Sequence, residues 1–159
     1  MKEAVPSDGE MLVFRTNEPQ PEPPFPADTG LRKVGALADA LPIARAYASL
    51  HGWPATLKML AKTATSRRSY YAATRGRRIV SEGWITRGRC RLYPIEPDDF
   101  VIGPIFTAAS ERGRGLAHAC LARAINHCLR EGARWVYIDT TTDNAASRKV
   151  IAKSGMKPL

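Results

Sequence analysis

No apolar run in this chain approaches the roughly 18 residues needed to cross a bilayer, so a membrane-spanning role is not expected. Met1 to Glu10 carries Glu3, Asp8 and Glu10. It lacks the cationic start, apolar middle and small-residue cleavage site of a secretory signal, which leaves a cytoplasmic location as the expectation. Cysteine is scarce: Cys90, Cys120 and Cys128 cannot all pair with one another, and none stands in a Cys-x-x-Cys arrangement. A disulfide framework is therefore excluded, no metal set is expected, and free thiols in a reducing compartment are the simpler reading. No internal repeat is visible, and 159 residues suit one domain with one active site.

Basic charge is plentiful and unevenly placed. Residues 1–30 hold six acids and two bases, whereas residues 31–159 hold nine acids and 22 bases, for a net charge of +9 overall. The body is thus suited to an anionic partner: nucleic acid, an acidic surface or a phosphorylated small molecule.

Five prolines in the 14 residues from Asn17 to Gly30 remove backbone donors and favour extended conformations. Residues 1–30 therefore read as an N-terminal arm with a proline-rich linker, with Met11-Leu-Val-Phe14 as a short strand, and residues 31–159 as the functional domain. Leu31 to Leu50 reads as helix, and Trp53-Pro54 opens a second helix to about Lys62. From Ser69 the pattern turns to an antiparallel meander: Tyr70-Tyr71, a turn at Arg75-Gly76, Ile79 to Thr86, a turn at Arg87-Gly88, and Cys90 to Tyr93. Phe100 to Phe106 suits a buried strand, except that Pro104 cannot donate to a ladder and calls for a bulge or a missing neighbour.

Leu116 to Leu129 is the clearest helix, with Cys120 and Cys128 in its apolar stripe and Gly132 placed to end it. Trp135 to Ile138 is another strand, and Asn144 caps a short helix to about Ser154. Strand, helix, strand, helix implies a parallel strand pair with a right-handed crossover. Between the first strand and helix lies Ser110-Glu-Arg-Gly-Arg-Gly-Leu-Ala117. Its glycines let backbone N–H groups approach a ligand, the helix start adds unpaired donors, and Arg112 and Arg114 add charge. This is an anion cradle suited to a diphosphate. It is neither a Walker loop nor the dinucleotide fingerprint, whose third glycine is replaced by His118.

Arg112-Gly113-Arg114-Gly115-Leu116-Ala117 resembles the pyrophosphate loop of the GNAT family of acyl-CoA-dependent N-acetyltransferases. Asn144-Ala-Ala-Ser147 with Ile151-Ala-Lys-Ser-Gly155 resembles the family's following segment. The resemblance covers residues 100–156 well and the first 60 residues hardly at all. It implies an α/β fold, a mixed and mostly antiparallel sheet with flanking helices and a splayed parallel strand pair, in which Pro104 falls where pairing is already broken. It also implies acetyl-CoA as cosubstrate, held by Arg112, Gly113, Arg114, Gly115, Leu116 and Ala117 at the phosphates. Backbone groups of Ile105, Phe106 and Thr107, with Asn144 and Ser147, would lie along the pantetheine arm. The implied reaction is acetyl transfer to a primary amine of a small acceptor. An amino sugar is the first guess, because Ile102 to Thr107 with a tyrosine-less second motif looks like members associated with surface-polysaccharide synthesis.

Amine acetylation needs a neutral amine, a polarised thioester carbonyl and a protonated leaving thiolate. Many family members protonate the thiolate from a tyrosine at the position that is Ile151 here; water, Ser147 or Tyr137 could substitute, and the sequence does not rank them. For the base, Asp139 has the best position and Glu82 follows, with His118 and His127 read as plain helix residues.

Two other readings stand beside this one: a non-catalytic acyl-CoA-binding protein, and a basic nucleic-acid module built on Arg67, Arg68, Arg75, Arg77, Arg78, Arg87, Arg89 and Arg91 with Tyr70, Tyr71 and Trp84. Nucleic acid is disfavoured because strands would bury those aromatics. The family's C-terminal strands are absent from the sequence, which ends four residues past Gly155. The edge of the Trp135 strand is therefore expected to be covered, by a second copy in a homodimer or by Met11 to Phe14 folding back.

Overall fold

The computed structural model describes residues 9–64 and 68–159. Most of the Met1 to Glu10 segment, and Arg67, lie outside these residues.

Seven strands form one sheet: β1 (Met11–Thr16), β2 (Thr29–Val34), β3 (Arg68–Arg75), β4 (Arg78–Arg87), β5 (Phe100–Thr107), β6 (Val136–Thr141) and β7 (Lys157–Pro158), in the order β2-β3-β4-β5-β6-β1-β7. All neighbours are antiparallel except β5 and β6. Helices α1 (Leu37–His51) and α2 (Trp53–Thr63) cover one face, where Val34, Ile43, Met59 and Tyr70 form a core. Helices α3 (Leu116–Arg130) and α4 (Ala145–Lys153) cover the other, over a larger core of Tyr71, Ile102, Leu121, Ile125, Val136 and Ile151. No helix of the described residues is long and apolar enough to cross a membrane.

The expected α3 and its buried stripe are present. Cys120 and Cys128 are fully buried, and burial pushes their thiols up to about 11 and about 12, so both stay protonated and unreactive.

Two expectations for local structure fail. Leu31 to Val34 is strand, not helix, because pairing with Tyr70 to Ala73 buries Val34 completely, and tertiary pairing overrides an Ala/Leu-rich composition. The helix begins only after Gly35, where the Asp39 carboxylate accepts from the Gly35 and Ala36 amides. Cys90 to Tyr93 is irregular rather than a third meander strand. The chain turns at Gly88, whose amide donates to Asp99 O at 2.8 Å, and it folds back along the β5 approach without a strand to pair with.

Of the two covers weighed for the β6 edge, the structure shows the intramolecular one. Met11 to Thr16 pairs with Thr141 to Val136, and β7 pairs in turn with β1. The proline-rich segment lies along α3: the Asn126 side chain bonds both Gln20 backbone groups, Arg123 donates to Pro23 O at 2.7 Å, and the Arg123 guanidinium stacks on Phe25.

Candidate active site

Strands β5 and β6 pair only at Phe100–Val136 and Val101–Tyr137, then part. Beyond that point β5 bulges against β4: Gly83 lies opposite Ile105 and Ile85 opposite Ile102, so β5 carries one extra residue across Gly103-Pro104. The missing donor of Pro104 falls where the ladder is already interrupted, which answers the sequence anomaly. Ser81 Oγ donates to Phe106 O at 2.9 Å, so the Phe106 carbonyl faces β4. By strand alternation the backbone groups of Ile105 and Thr107 turn to the open side, toward the gap left by β6. An unpaired strand edge of this kind can take an extended amide-bearing arm as an added strand.

At the C-terminal end of β5 a short 3-10 turn, Ala109–Glu111, leads into Arg112–Gly115 and the start of α3. Gly113 and Gly115 have φ of +80° and +77°, backbone that L side chains adopt at a cost, and a Cβ on either would meet nothing within 4 Å. Their role is conformational, and the space above the loop is open. Gly115 is the N-cap of α3 and supplies no side-chain acceptor, so the first amides of the helix, at Leu116 and Ala117, have no capping side chain. This cradle fits a diphosphate.

The loop is braced from below. Glu111 is buried, with Arg75 at 2.7 Å from one oxygen and Arg114 at 3.4 Å from the other. Arg112 donates through Nε to Thr107 O at 3.2 Å, and its exposed terminal nitrogens make no hydrogen bond among the described residues. On the far side of the gap, Asn144 caps α4 by accepting from the Ser147 amide at 3.0 Å. Ile151, at the position where many GNAT proteins carry tyrosine, is fully buried in the core.

The register places both candidate acids on one face. Glu82 pairs with Phe106, and Val101 with Tyr137, two residues before Asp139. Directly paired residues share a face, so Glu82, Phe106 and Asp139 all open to the side covered by α1 and α2. Phe106 is exposed there. Asp139 accepts from the Tyr93 hydroxyl at 3.2 Å, and burial raises its carboxyl above the ordinary range against the opposing effect of that bond. Tyr93 is raised too, by burial and then by Asp139, so it stays a donor.

Glu82 is buried and doubly engaged. His51 Nε2 lies 2.6 Å from Oε1 and the Tyr70 hydroxyl donates to Oε2. Tyr70 is raised by burial and by Glu82. Sequence reasoning missed His51 and Tyr93. His51 is the last residue of α1 and Tyr93 lies in an irregular loop, and nothing local ties either to a strand distant in sequence. His118 and His127 are half-buried on α3, and burial lowers His127. Tyr70 and Tyr71 are buried at 0% and 3% exposure, which removes the stacking surface that a nucleic-acid module would need.

The family model for the acetyltransferase (GNAT) domain matches residues 30–157. The chain belongs to the GNAT acetyltransferase family. Among solved structures it is similar to a GNAT-family protein from Novosphingobium aromaticivorans, with 18% identity and a TM-score of 0.62, covering 94% of this chain and 59% of that one. It is also similar to AAC(6')-Iy in complex with the bisubstrate analogue CoA-S-monomethyl-acetylneamine, with 18% identity and a TM-score of 0.63, covering 81% and 90%. A third is an acetyltransferase from the GNAT family of Colwellia psychrerythraea, with 16% identity and a TM-score of 0.63, covering 96% and 53%. The chain thus spans little more than half the length of two of these three. No curated protein matches it in sequence.

Proposed function

We propose that this chain transfers the acetyl group of acetyl-CoA to a primary amine of a small acceptor. The observation that carries the reading is the opening between β5 and β6, which ends at an open glycine loop with uncapped helix amides. Acetyl-CoA would supply the activated thioester. Leu116, Ala117, Gly113 and Gly115 would offer backbone donors to its diphosphate, Arg112 and Arg114 would add charge, and Ile105, Thr107, Asn144 and Ser147 would flank the arm. Glu82 and Asp139 would draw a cationic amine to the opposite face of the cleft, within a body that is otherwise basic.

An amino sugar remains the favoured acceptor, and the aminoglycoside-derived analogue bound by AAC(6')-Iy is of that chemical class. A cytoplasmic location belongs to the same reading. Titration calorimetry with acetyl-CoA, followed by turnover on a panel of primary amines, tests it. Saturable binding with acetylation of at least one amine is expected. Binding without turnover on any amine would instead favour a non-catalytic acyl-CoA-binding protein.

A further inference from the structure

Glu82 cannot meet an acceptor directly. Both of its oxygens are engaged, by His51 and by Tyr70, and its side chain is 10% exposed, against 31% for His51. The imidazole is the outward member of the pair. A carboxylate only accepts, so an ionised Glu82 holds the ring proton on Nε2 and leaves the lone pair on Nδ1. Nδ1 makes no hydrogen bond among the described residues.

The neighbours support that arrangement. The Tyr47 ring lies against the imidazole with centroids 4.5 Å apart and holds its plane, and Tyr47 also meets Tyr70 edge-on at 5.4 Å. Burial and the nearby Glu82 keep both phenols protonated. Tyr70 can therefore only donate to Glu82, which fixes the orientation of the carboxylate. The titratable groups set around the ring are thus Glu82 from β4, Tyr70 from β3 and Tyr47 from its own helix. Residues of α2 and β2 among those described enter no ion pair with it.

Glu82 lies directly opposite Phe106 on β5, next to the residues whose backbone lines the opening. His51 therefore lies on the face of the sheet away from α3, beside the strand that borders the opening.

We infer that His51 is the general base that deprotonates the acceptor ammonium, with Glu82 and Tyr70 as positioning residues that set its tautomer and orientation. This rests on the acetyltransferase reading above. His51 Nδ1 takes one proton from the ammonium. The freed nitrogen pair forms the C–N bond to the acetyl carbonyl carbon as the C–S bond breaks, the sulfur leaves with that bonding pair, and the second nitrogen proton passes to the thiolate. Amide and free thiol result, and His51 returns its proton to solvent.

The test compares wild type, His51→Gln, Glu82→Gln and Tyr70→Phe on whichever of glucosamine, neamine and a free dipeptide the wild type acetylates fastest. His51→Gln should keep its acetyl-CoA Kd within about twofold by calorimetry, while kcat falls about 100-fold, the usual range for losing a positioned base. Its kcat/KM should lose the acidic limb due to the imidazole and keep rising with pH as free amine accumulates. Glu82→Gln should fall about tenfold with the limb displaced, and Tyr70→Phe less, because each only misplaces the ring. A His51→Gln protein that binds acetyl-CoA normally and keeps wild-type kcat and pH profile would overturn the assignment. A wild type that binds acetyl-CoA but acetylates none of the three amines would also count against it, while leaving the cofactor cleft standing. A wild type that does not bind acetyl-CoA would remove the acetyltransferase reading and this proposal together.

Discussion

Val13 of β1 lies opposite Asp139 of β6, so the strand that borders the cleft is held along its outer side by the beginning of the chain. Strand β6 pairs with β5 at only two positions, and β1 supplies six more. The wall carrying Asp139 therefore depends on a segment that contributes no residue to the cofactor loop. Phe14 and Phe25 pack against the main core from this segment, and Asn126 and Arg123 tie its proline-rich part to α3.

A protein starting at Leu31 should consequently lose on the order of 5 °C in Tm, given about 1 kcal/mol for each half-buried Phe and the usual conversion for a domain of this size. It should also self-associate through the uncovered β6 edge. Thermal unfolding and sedimentation equilibrium check both. Equal Tm and a monomer for the two forms would contradict the role given to β1.

Tyr71 provides a second test, in the core. Its hydroxyl is fully buried with no hydrogen-bond partner among the described residues, and it lies over Gly83 of the neighbouring strand, where a Cβ would collide with the ring. Tyr71→Phe should stabilise the protein by about 1 kcal/mol, since an unsatisfied buried hydroxyl carries an uncompensated desolvation cost. Gly83→Ala should destabilise by about 1–3 kcal/mol through overpacking. Denaturant unfolding measures both, and a destabilised Tyr71→Phe protein would mean that the hydroxyl has a partner.

In the proposed cofactor site Arg112 and Arg114 would meet phosphate oxygens and not the reacting carbonyl. Replacing either with Ala should raise the KM for acetyl-CoA about tenfold, the worth of one charge-assisted hydrogen bond, and change kcat much less. Steady-state kinetics at saturating acceptor resolve the two parameters. A large loss of kcat at saturating acetyl-CoA would contradict this division.

Asp139 gives a pH dependence of defined sign. Burial raises its carboxyl in the folded state, so between the unfolded and folded values the native protein binds more protons than the unfolded one, and stability declines as pH rises through that window. Asp139→Asn removes this contribution. It should raise Tm at neutral pH, with the gain shrinking as pH falls through the raised folded value and gone once pH is below the ordinary Asp value of about 4. Thermal unfolding of both proteins from pH 3 to 8, values spanning roughly that reference, follows the difference. A variant destabilised at every pH would show that the Tyr93 bond outweighs burial.

What could be read from the chain follows the range of the interactions involved. The glycine loop, the α3 stripe with Cys120 and Cys128, the Asn144 cap and the break at Pro104 are local signals, each carried by residues within one or two turns, and each appears where expected. Leu31 to Val34 misled because its strand character is imposed by Tyr70 to Ala73, some 40 positions later. Cys90 to Tyr93 has strand composition but no partner strand. The His51–Glu82 contact joins residues 31 positions apart on a helix end and a central strand, so no spacing rule reveals it. The two candidate acids were recognisable as acids on strands. That they share one face with Phe106 depends on the β5 bulge and on the β5–β6 register, which no local pattern encodes.

The central claim is that the loop before α3 receives the diphosphate of acetyl-CoA, and calorimetric titration of acetyl-CoA into wild type, Gly115→Asn and Gly115→Asp tests it most directly. Asn and Asp tolerate the left-handed backbone that Gly115 adopts at φ +77°, so both variants should fold, as circular dichroism can verify. They differ by one negative charge at the mouth of the cradle. Wild type should bind saturably, Gly115→Asn more weakly, and Gly115→Asp not measurably. Equal affinity for acetyl-CoA in the three folded proteins, or none in the wild type, would contradict the account.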